Sequence, residues 1–185
     1  MHQQKQQRFL ELLDREYERL ERFALSMTRN REDAKELISE TVAACYERFD
    51  SIEHDEAFLS YLFTVASRTF YKQKAKRSRI STVAPDEITE LYCGGIQPDD
   101  AYDVQQLYNA IDALPEQYRE IFIMAELLGF THKEIQQTHG ISIANIKVRI
   151  YRSKYLIRKY LGVDNPEPNN AHTTESTKPR TVWAL

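Results

Sequence analysis

Five glycines and six prolines in 185 residues leave little of the turn chemistry that a chain of short strands requires. A sheet architecture is disfavoured, and an all-α fold is expected. Cysteine is scarcer still: Cys45 and Cys93 stand far apart, without the paired spacing of a zinc site or redox motif. Reduced thiols are expected, with no disulfide. The opening MHQQKQQRF is polar and leads into a charged amphipathic segment rather than the apolar core of a signal peptide, and no stretch is apolar enough to span a bilayer. A cytoplasmic setting follows as the expectation. Also missing are a glycine-rich phosphate loop, a paired metal-ligand motif and a nucleophile elbow, while His54, His132 and His139 lack evident partners for proton transfer. Catalysis, a metal and a cofactor are therefore not expected. A formal net charge of −3 excludes a uniformly basic coat, so any nucleic-acid affinity must come from locally concentrated Lys and Arg.

What the sequence does hold is helical periodicity. Phe9, Leu13, Tyr17, Leu20, Ala24 and Met27 recur every three to four residues and predict one long helix. Asn30 suits the N-cap of a second, whose buried stripe is Ala34, Leu37, Ile38, Thr41, Cys45 and Phe49. The segment Asp50 to Glu56 breaks the pattern, and Phe58, Leu62, Val65, Ala66 and Thr69 restart it in a third helix. From about Ser78 to Asp103 only isolated apolar residues remain among the breakers Pro85, Gly94, Gly95 and Pro98. Periodicity returns at Leu107, Ile111 and Leu114. Pro115 suits the first turn of a helix carrying Tyr118, Ile121, Phe122, Ala125 and Leu128, which Gly129 stops.

Thr131 and Glu134 have capping-box spacing, Gly140 permits a tight turn, and Ser142 suits the cap of a last helix buried through Ile146, Ile150, Ile157 and Leu161. The result is a helix-turn-helix. The architecture expected is thus all-α: two small helical domains, 1–79 and 104–161, joined by a flexible linker at 80–103, the second domain containing the helix-turn-helix. Residues 162–185 are polar and proline-punctuated, and are expected to be a disordered tail.

Three clusters carry candidate function. Asp33, Glu36, Glu40 and Glu47 place carboxylates along one side of the second helix, either as a solvated face or as a docking stripe for a basic partner. Between Arg68 and Arg79 lie Lys72, Lys74, Lys76 and Arg77 with Phe70 and Tyr71 and no acid; cations attract phosphates and aromatics stack on unpaired bases. The same lysines can serve only to complement a helix C-terminus. The third is SIANIKVRIYRSK, whose Asn145, Lys147, Arg149 and Arg152 have the donors that reach base edges and phosphates in a major groove.

Taken together, DAKELISETVAACYERF, FLSYLFTVASRTFYKQKAKR and ALPEQYREIFIMAELLGFTHKEIQQTHGISIANIKVRIYRSKYLIRKYL resemble, in order and separation, the two conserved regions of bacterial RNA polymerase sigma factors of the extracytoplasmic-function group. The resemblance implies that Asp33, Glu36 and Glu40, with Glu47 as an extension, face the polymerase clamp. It implies that Asp50, Ser51, Ile52, Glu53 and His54, in the loop reaching to Glu56, capture an extruded minus-ten base. Arg68, Lys72, Lys74, Lys76 and Arg77 would track the opened strand, with Tyr61, Phe70 or Tyr71 packing beneath or stacking on bases. Ser142, Asn145, Lys147, Val148, Arg149, Tyr151 and Arg152 would meet the minus-thirty-five duplex. The partners implied are core RNA polymerase, promoter DNA and an anti-sigma factor. Lys35, Ser39 and Tyr61 depart from the usual residues, Arg68 and Lys72 stand where asparagine and aspartate are usual, and QQTHGISIAN replaces the usual small residues at the turn, so an unusual promoter preference is expected. The rivals are a stand-alone helix-turn-helix regulator and a helical interaction module, neither of which gives the acidic row a role together with the two basic clusters.

Overall fold

A long amphipathic helix can be stable only where its apolar stripe finds cover, and the first three helices cover one another. The computed structural model describes residues 2–77 and 98–163, and within them all regular structure is helical. Helix α1 (His2–Thr28) and α2 (Arg31–Glu47) lead through a short 3-10 turn (Phe49–Ser51) into α3 (Glu56–Arg77). Phe9, Leu13, Leu20, Ala24 and Met27 are buried as the periodicity predicts. Tyr17 is not: it is 44% exposed, while Phe23, outside the predicted stripe, is fully buried. In α2 the predicted stripe is buried throughout. In α3, Val65 and Thr69 sit at the margin, while Phe63 and Phe70 join Phe58, Leu62 and Ala66 inside.

Local chemistry sets the joints. Arg29 ends α1 with a left-handed φ of 54°, and the Asn30 side chain accepts the backbone N–H groups of Glu32 and Asp33 at 2.9 and 3.0 Å. At the other end of the bundle Phe9, Phe49 and Phe58 meet edge to face with centroids 5.2 to 6.0 Å apart. The Cys45 thiol is fully buried in this core, and burial pushes its pKa up to about 12.

The second half is built of α4 (Pro98–Asp112), α5 (Glu116–Phe122), α6 (His132–His139) and α7 (Ile143–Tyr160). Helix α4 begins at Pro98, inside the stretch read from sequence as linker; the rest of that stretch from 78, and the tail from 164, lie outside the described residues. Pro115 precedes α5 rather than entering it, and α5 continues into a π-helical turn at Ile123–Leu127. The capping box forms: Glu134 N–H donates to Thr131 Oγ1 at 3.2 Å and Thr131 N–H to Glu134 Oε2 at 2.7 Å. Gly140, at φ +66°, makes the turn, and Ser142 caps α7. Ile146, Ile150 and Ile157 are buried as predicted, but Leu161, just past the end of α7 at Tyr160, is 38% exposed.

The two halves pack against each other. Phe63 stands edge to face between Phe23 and Phe130, centroids 5.5 and 4.7 Å away, and the Arg19 guanidinium lies 3.8 Å over the Phe130 ring. Around this seam Arg22 donates to the Leu127 carbonyl (3.0 Å), Thr64 to the Thr138 carbonyl (3.0 Å), and Arg19 to Glu134 (3.2 Å). Arg29 binds Asp112, and Lys74 lies 2.7 Å from Glu116. Burial by itself would raise the Glu134 carboxyl; its bonds from Thr131 and Arg19 outweigh that and hold it below the usual carboxylate range.

Two outcomes follow. Leu37→Ala, which empties a site with no solvent exposure, should cost about 2–5 kcal/mol in urea unfolding. Because Glu134 has a folded-state pKa below its ordinary 4.5, its contribution is complete above that pH and lost as pH falls through the lowered value. Unfolding free energy measured against pH should therefore decline under acid, and Glu134→Gln should flatten part of that decline.

Candidate nucleic-acid and partner interfaces

Helix α2 buries Ala34, Leu37, Thr41 and Cys45, and with a rotation of about 100° per residue Asp33, Glu36, Glu40 and Glu47 then fall within an arc of about 60° on the outward side. Asp33 is half-buried and the other three are exposed. The structure thus brings all four together as one acidic row. Beside it, on the α1 side, runs an apolar groove lined by Leu10, Leu13, Ile38, Val42 and Tyr46. Periodicity alone did not reveal this groove, although Leu10, 49% exposed and off the buried stripe, was its signal.

The loop after α2 is tied to α1 rather than free. Lys5 Nζ pairs with Asp50 at 2.6 Å, Arg8 Nε donates to Asp55 at 2.8 Å, and Ser51 Oγ donates to the Arg48 carbonyl at 2.6 Å. Glu53 and His54 are exposed, but Ile52 is buried and anchors the loop from within the core. Lys5 and Arg8 are positioning residues that no sequence pattern singled out, because they act across 45 and 47 positions of chain.

The basic cluster of α3 divides. Arg68, Lys72 and Lys76 are exposed on the outer face. Lys74 faces α5 and engages Glu116, whose carboxyl is held below its usual range chiefly by the hydrogen bond from Lys74. Arg77 turns the other way, onto Asp33 and Glu36. Of the three candidate aromatics, Phe70 is buried, which removes it from any stacking role. Tyr61 and Tyr71 are half-buried, and burial raises both phenols above their ordinary range, with the Glu120 charge adding to the effect at Tyr71. The Tyr71 hydroxyl lies 3.5 Å from the Glu116 carbonyl.

On α7, burial of Ile146, Ile150, Ser153 and Ile157 turns Ser142, Asn145, Lys147, Val148, Tyr151 and Arg152 to solvent. Val148 and Tyr151 are 47% and 58% exposed. Asn145 N–H donates to Ser142 Oγ at 3.2 Å, and Asn145 Oδ1 accepts from Arg149 Nε at 3.0 Å. Arg149 is half-buried, with Nη1 donating to the Gln117 carbonyl at 3.2 Å, and Arg152 Nη1 lies 3.3 Å from the Tyr118 hydroxyl. Arg149 therefore braces α7 against α5, while Lys147 stands clear. His139, read from sequence as lacking a partner, has Nε2 3.5 Å from Glu120 and 3.3 Å from Met124 Sδ, an arrangement that only the packing of α5 on α6 creates. Among the described residues no group of His, Cys, Asp and Glu could hold a metal, and no helix is long and apolar enough to cross a membrane.

Comparison with known proteins agrees with this layout. The family model for sigma-70 region 2 matches residues 12–80, and that for sigma-70 region 4 matches residues 104–157. The chain is 28% identical over 139 residues to the extracytoplasmic-function sigma factor SigM of Bacillus subtilis, covering 74% of this chain and 85% of that one. It is 24% identical over 162 residues to SigE of Mycolicibacterium smegmatis, covering 85% of this chain but only 63% of the longer relative. Among solved structures, the sigma factor RpoE in complex with the anti-sigma factor NepR from Bartonella quintana aligns with a TM-score of 0.63 at 26% identity, over 86% of this chain and 98% of that one. CnrH, in complex with the cytosolic domain of CnrY, shares the fold with a TM-score of 0.64 at 18% identity, over 86% and 91%. With region 2 matched across α1–α3, region 4 across α4–α7, and both curated relatives extracytoplasmic-function sigma factors, the chain belongs to the sigma-70 family as an extracytoplasmic-function sigma factor.

Proposed function

We propose that residues 1–79 dock on core RNA polymerase through Asp33, Glu36, Glu40 and Glu47 and hold the opened minus-ten strand, while the helix-turn-helix body reads the minus-thirty-five duplex. The observation that carries the reading is the segregation of charge: a row of acids on α2, and an exposed polar and cationic face on the capped half of α7. Acids laid beside an apolar groove suit a basic helical partner, where charge complementarity speeds docking and selects the partner. In the loop, Asp50, Ser51, Glu53 and His54 are the groups available to a base, with Ile52 holding the backbone beneath them. Arg68, Lys72 and Lys76 would follow the strand, with Tyr61 and Tyr71 as its stacking platform. Lys74 would join them only after parting from Glu116, so strand capture requires the two bodies to separate there.

On the duplex, Ser142 and the start of α7 favour a phosphate, Asn145, Lys147 and Val148 approach base edges, and Tyr151 and Arg152 flank them. Arg149 contributes chiefly by bracing. The protein would act by binding alone, with no covalent step, in the cytoplasm where its polymerase resides. Two weak DNA contacts on one polymerase gain from effective concentration. An anti-sigma factor is proposed as its regulator, supported by the complex in which the RpoE relative was solved.

Co-purification with core RNA polymerase and transcription from a matched promoter test the reading; failure of both would overturn it. Asn145→Ala should relax preference at one base pair of the minus-thirty-five element, by about 1–3 kcal/mol of discrimination, when promoter variants compete for holoenzyme. Arg152→Ala, at the flank, should instead weaken all sequences similarly and lower the slope of log K against log salt by about 0.9 for the phosphate no longer neutralised.

A further inference from the structure

Helices α2 and α3 run antiparallel through a short connection, so the last turn of α3 returns beside the first turns of α2. Phe63, Phe70 and Arg77 follow one another at intervals of seven, two helical turns each, and therefore share one face. The first two are buried in the core. Arg77 continues their line past the end of that core, where it meets not an apolar surface but the acids of α2. Its Nη1 binds the Asp33 carboxylate and its Nη2 lies 2.9 Å from Glu36 Oε2. A guanidinium fork spanning two carboxylates is the arrangement that a lysine cannot reproduce. Side-chain exposures of 43% for Arg77, 32% for Asp33 and 55% for Glu36 leave the trio open to competition from solvent and from other charged groups. Glu40 and Glu47, further along the row, make no ion pair among the described residues.

We infer that Arg77 is an internal competitor for the docking acids: it occupies Asp33 and Glu36 in the free chain and must be displaced before a cationic surface of core polymerase can use them. The inference rests on the proposed role of those acids as the polymerase-docking row. It reassigns Arg77, read from sequence with the strand-binding cations, to setting the threshold for partner binding. It also separates Arg77 from the other cations of α3: Arg68, Lys72 and Lys76 are exposed and Lys74 engages Glu116, whereas Arg77 neutralises the acids of α2. An exposed ion pair shifts an equilibrium by about a factor of five at most, so two pairs made by one side chain set a tunable threshold rather than a lock.

The test measures affinity of the full-length chain for core RNA polymerase without DNA, at an ionic strength of about 0.1 M. Arg77→Ala and Arg77→Gln should tighten binding by about threefold to tenfold, and Arg77→Lys by less, since an ammonium holds one carboxylate where the fork holds two. Arg15→Ala, the same charge change at an exposed position of α1, should shift affinity by less than about twofold. The gain from Arg77→Ala should vanish when Asp33→Asn and Glu36→Gln are also present. Unchanged or weaker binding by both Arg77→Ala and Arg77→Gln, or a gain that survives loss of the acids, overturns the inference. If Asp33→Asn with Glu36→Gln leaves binding at the level of the unaltered chain, the docking assignment itself has failed; if that pair weakens binding while the Arg77 variants do not tighten it, only the competitor role has.

Discussion

Phe63 is the residue on which the arrangement of the molecule turns. It projects from the middle of α3, packs edge to face on Phe23 of α1, and on its other side receives Phe130 from the turn before α6. Fully burying one such ring contributes about 1.5–3 kcal/mol, and edge-to-face pairing adds about 0.5–1.5 kcal/mol for each good pair. Those sums exceed anything the surrounding exposed ion pairs supply, each worth about 0–1 kcal/mol. The aromatic seam therefore holds the two bodies together, and the polar groups around it choose their angle. Arg19 over the Phe130 ring, Thr64 on the Thr138 carbonyl and Arg22 on the Leu127 carbonyl all depend on that ring being in place.

The polar part of the seam is built for specificity rather than strength. Arg29, buried at the end of α1, shares Asp112 with Arg119, which is 7% exposed and lies 6.0 Å from the Phe70 ring centroid. Taking such charges from water costs several kcal/mol, which their mutual attraction only offsets when the geometry is good. A junction made of one aromatic seam and several costly or exposed charge pairs can be parted by a partner that supplies replacements. That property matters for a sigma factor whose Lys74 and Tyr71 lie against Glu116 in this arrangement, since both groups are among those proposed for the promoter strand.

Much of the layout was legible in the sequence because local chemistry dictates it. The caps at Asn30, Thr131 and Ser142, the glycine turn at Gly140, the buried stripes of α2 and α7, and the order of the three charged clusters all follow from spacing within a few turns of chain. Tyr17, Val65 and Thr69 fall at the margin of the buried face or outside it, and Phe23, Phe63 and Phe70 within it, because only the packed partner helices decide which side of a helix is covered. The position of the basic cluster is readable in the sequence, whereas only the packing shows that its members face three different surroundings. The interval from Phe63 through Phe70 to Arg77 carried that information, but only once Phe63 was known to be core.

By itself the sequence determined the helices, their caps and the helix-turn-helix, because hydrogen-bond closure and apolar periodicity act over short stretches of chain, and three of its stretches carried the resemblance to the family. The tertiary structure alone decided that the two bodies share a seam, that Ile52 and Phe70 are buried, that Arg149 braces rather than projects, and that Arg77 and Lys74 are held by acids of different helices. Those outcomes join residues more than 30 positions apart, and their energies come from desolvation and packing that exist only when the distant surface has arrived.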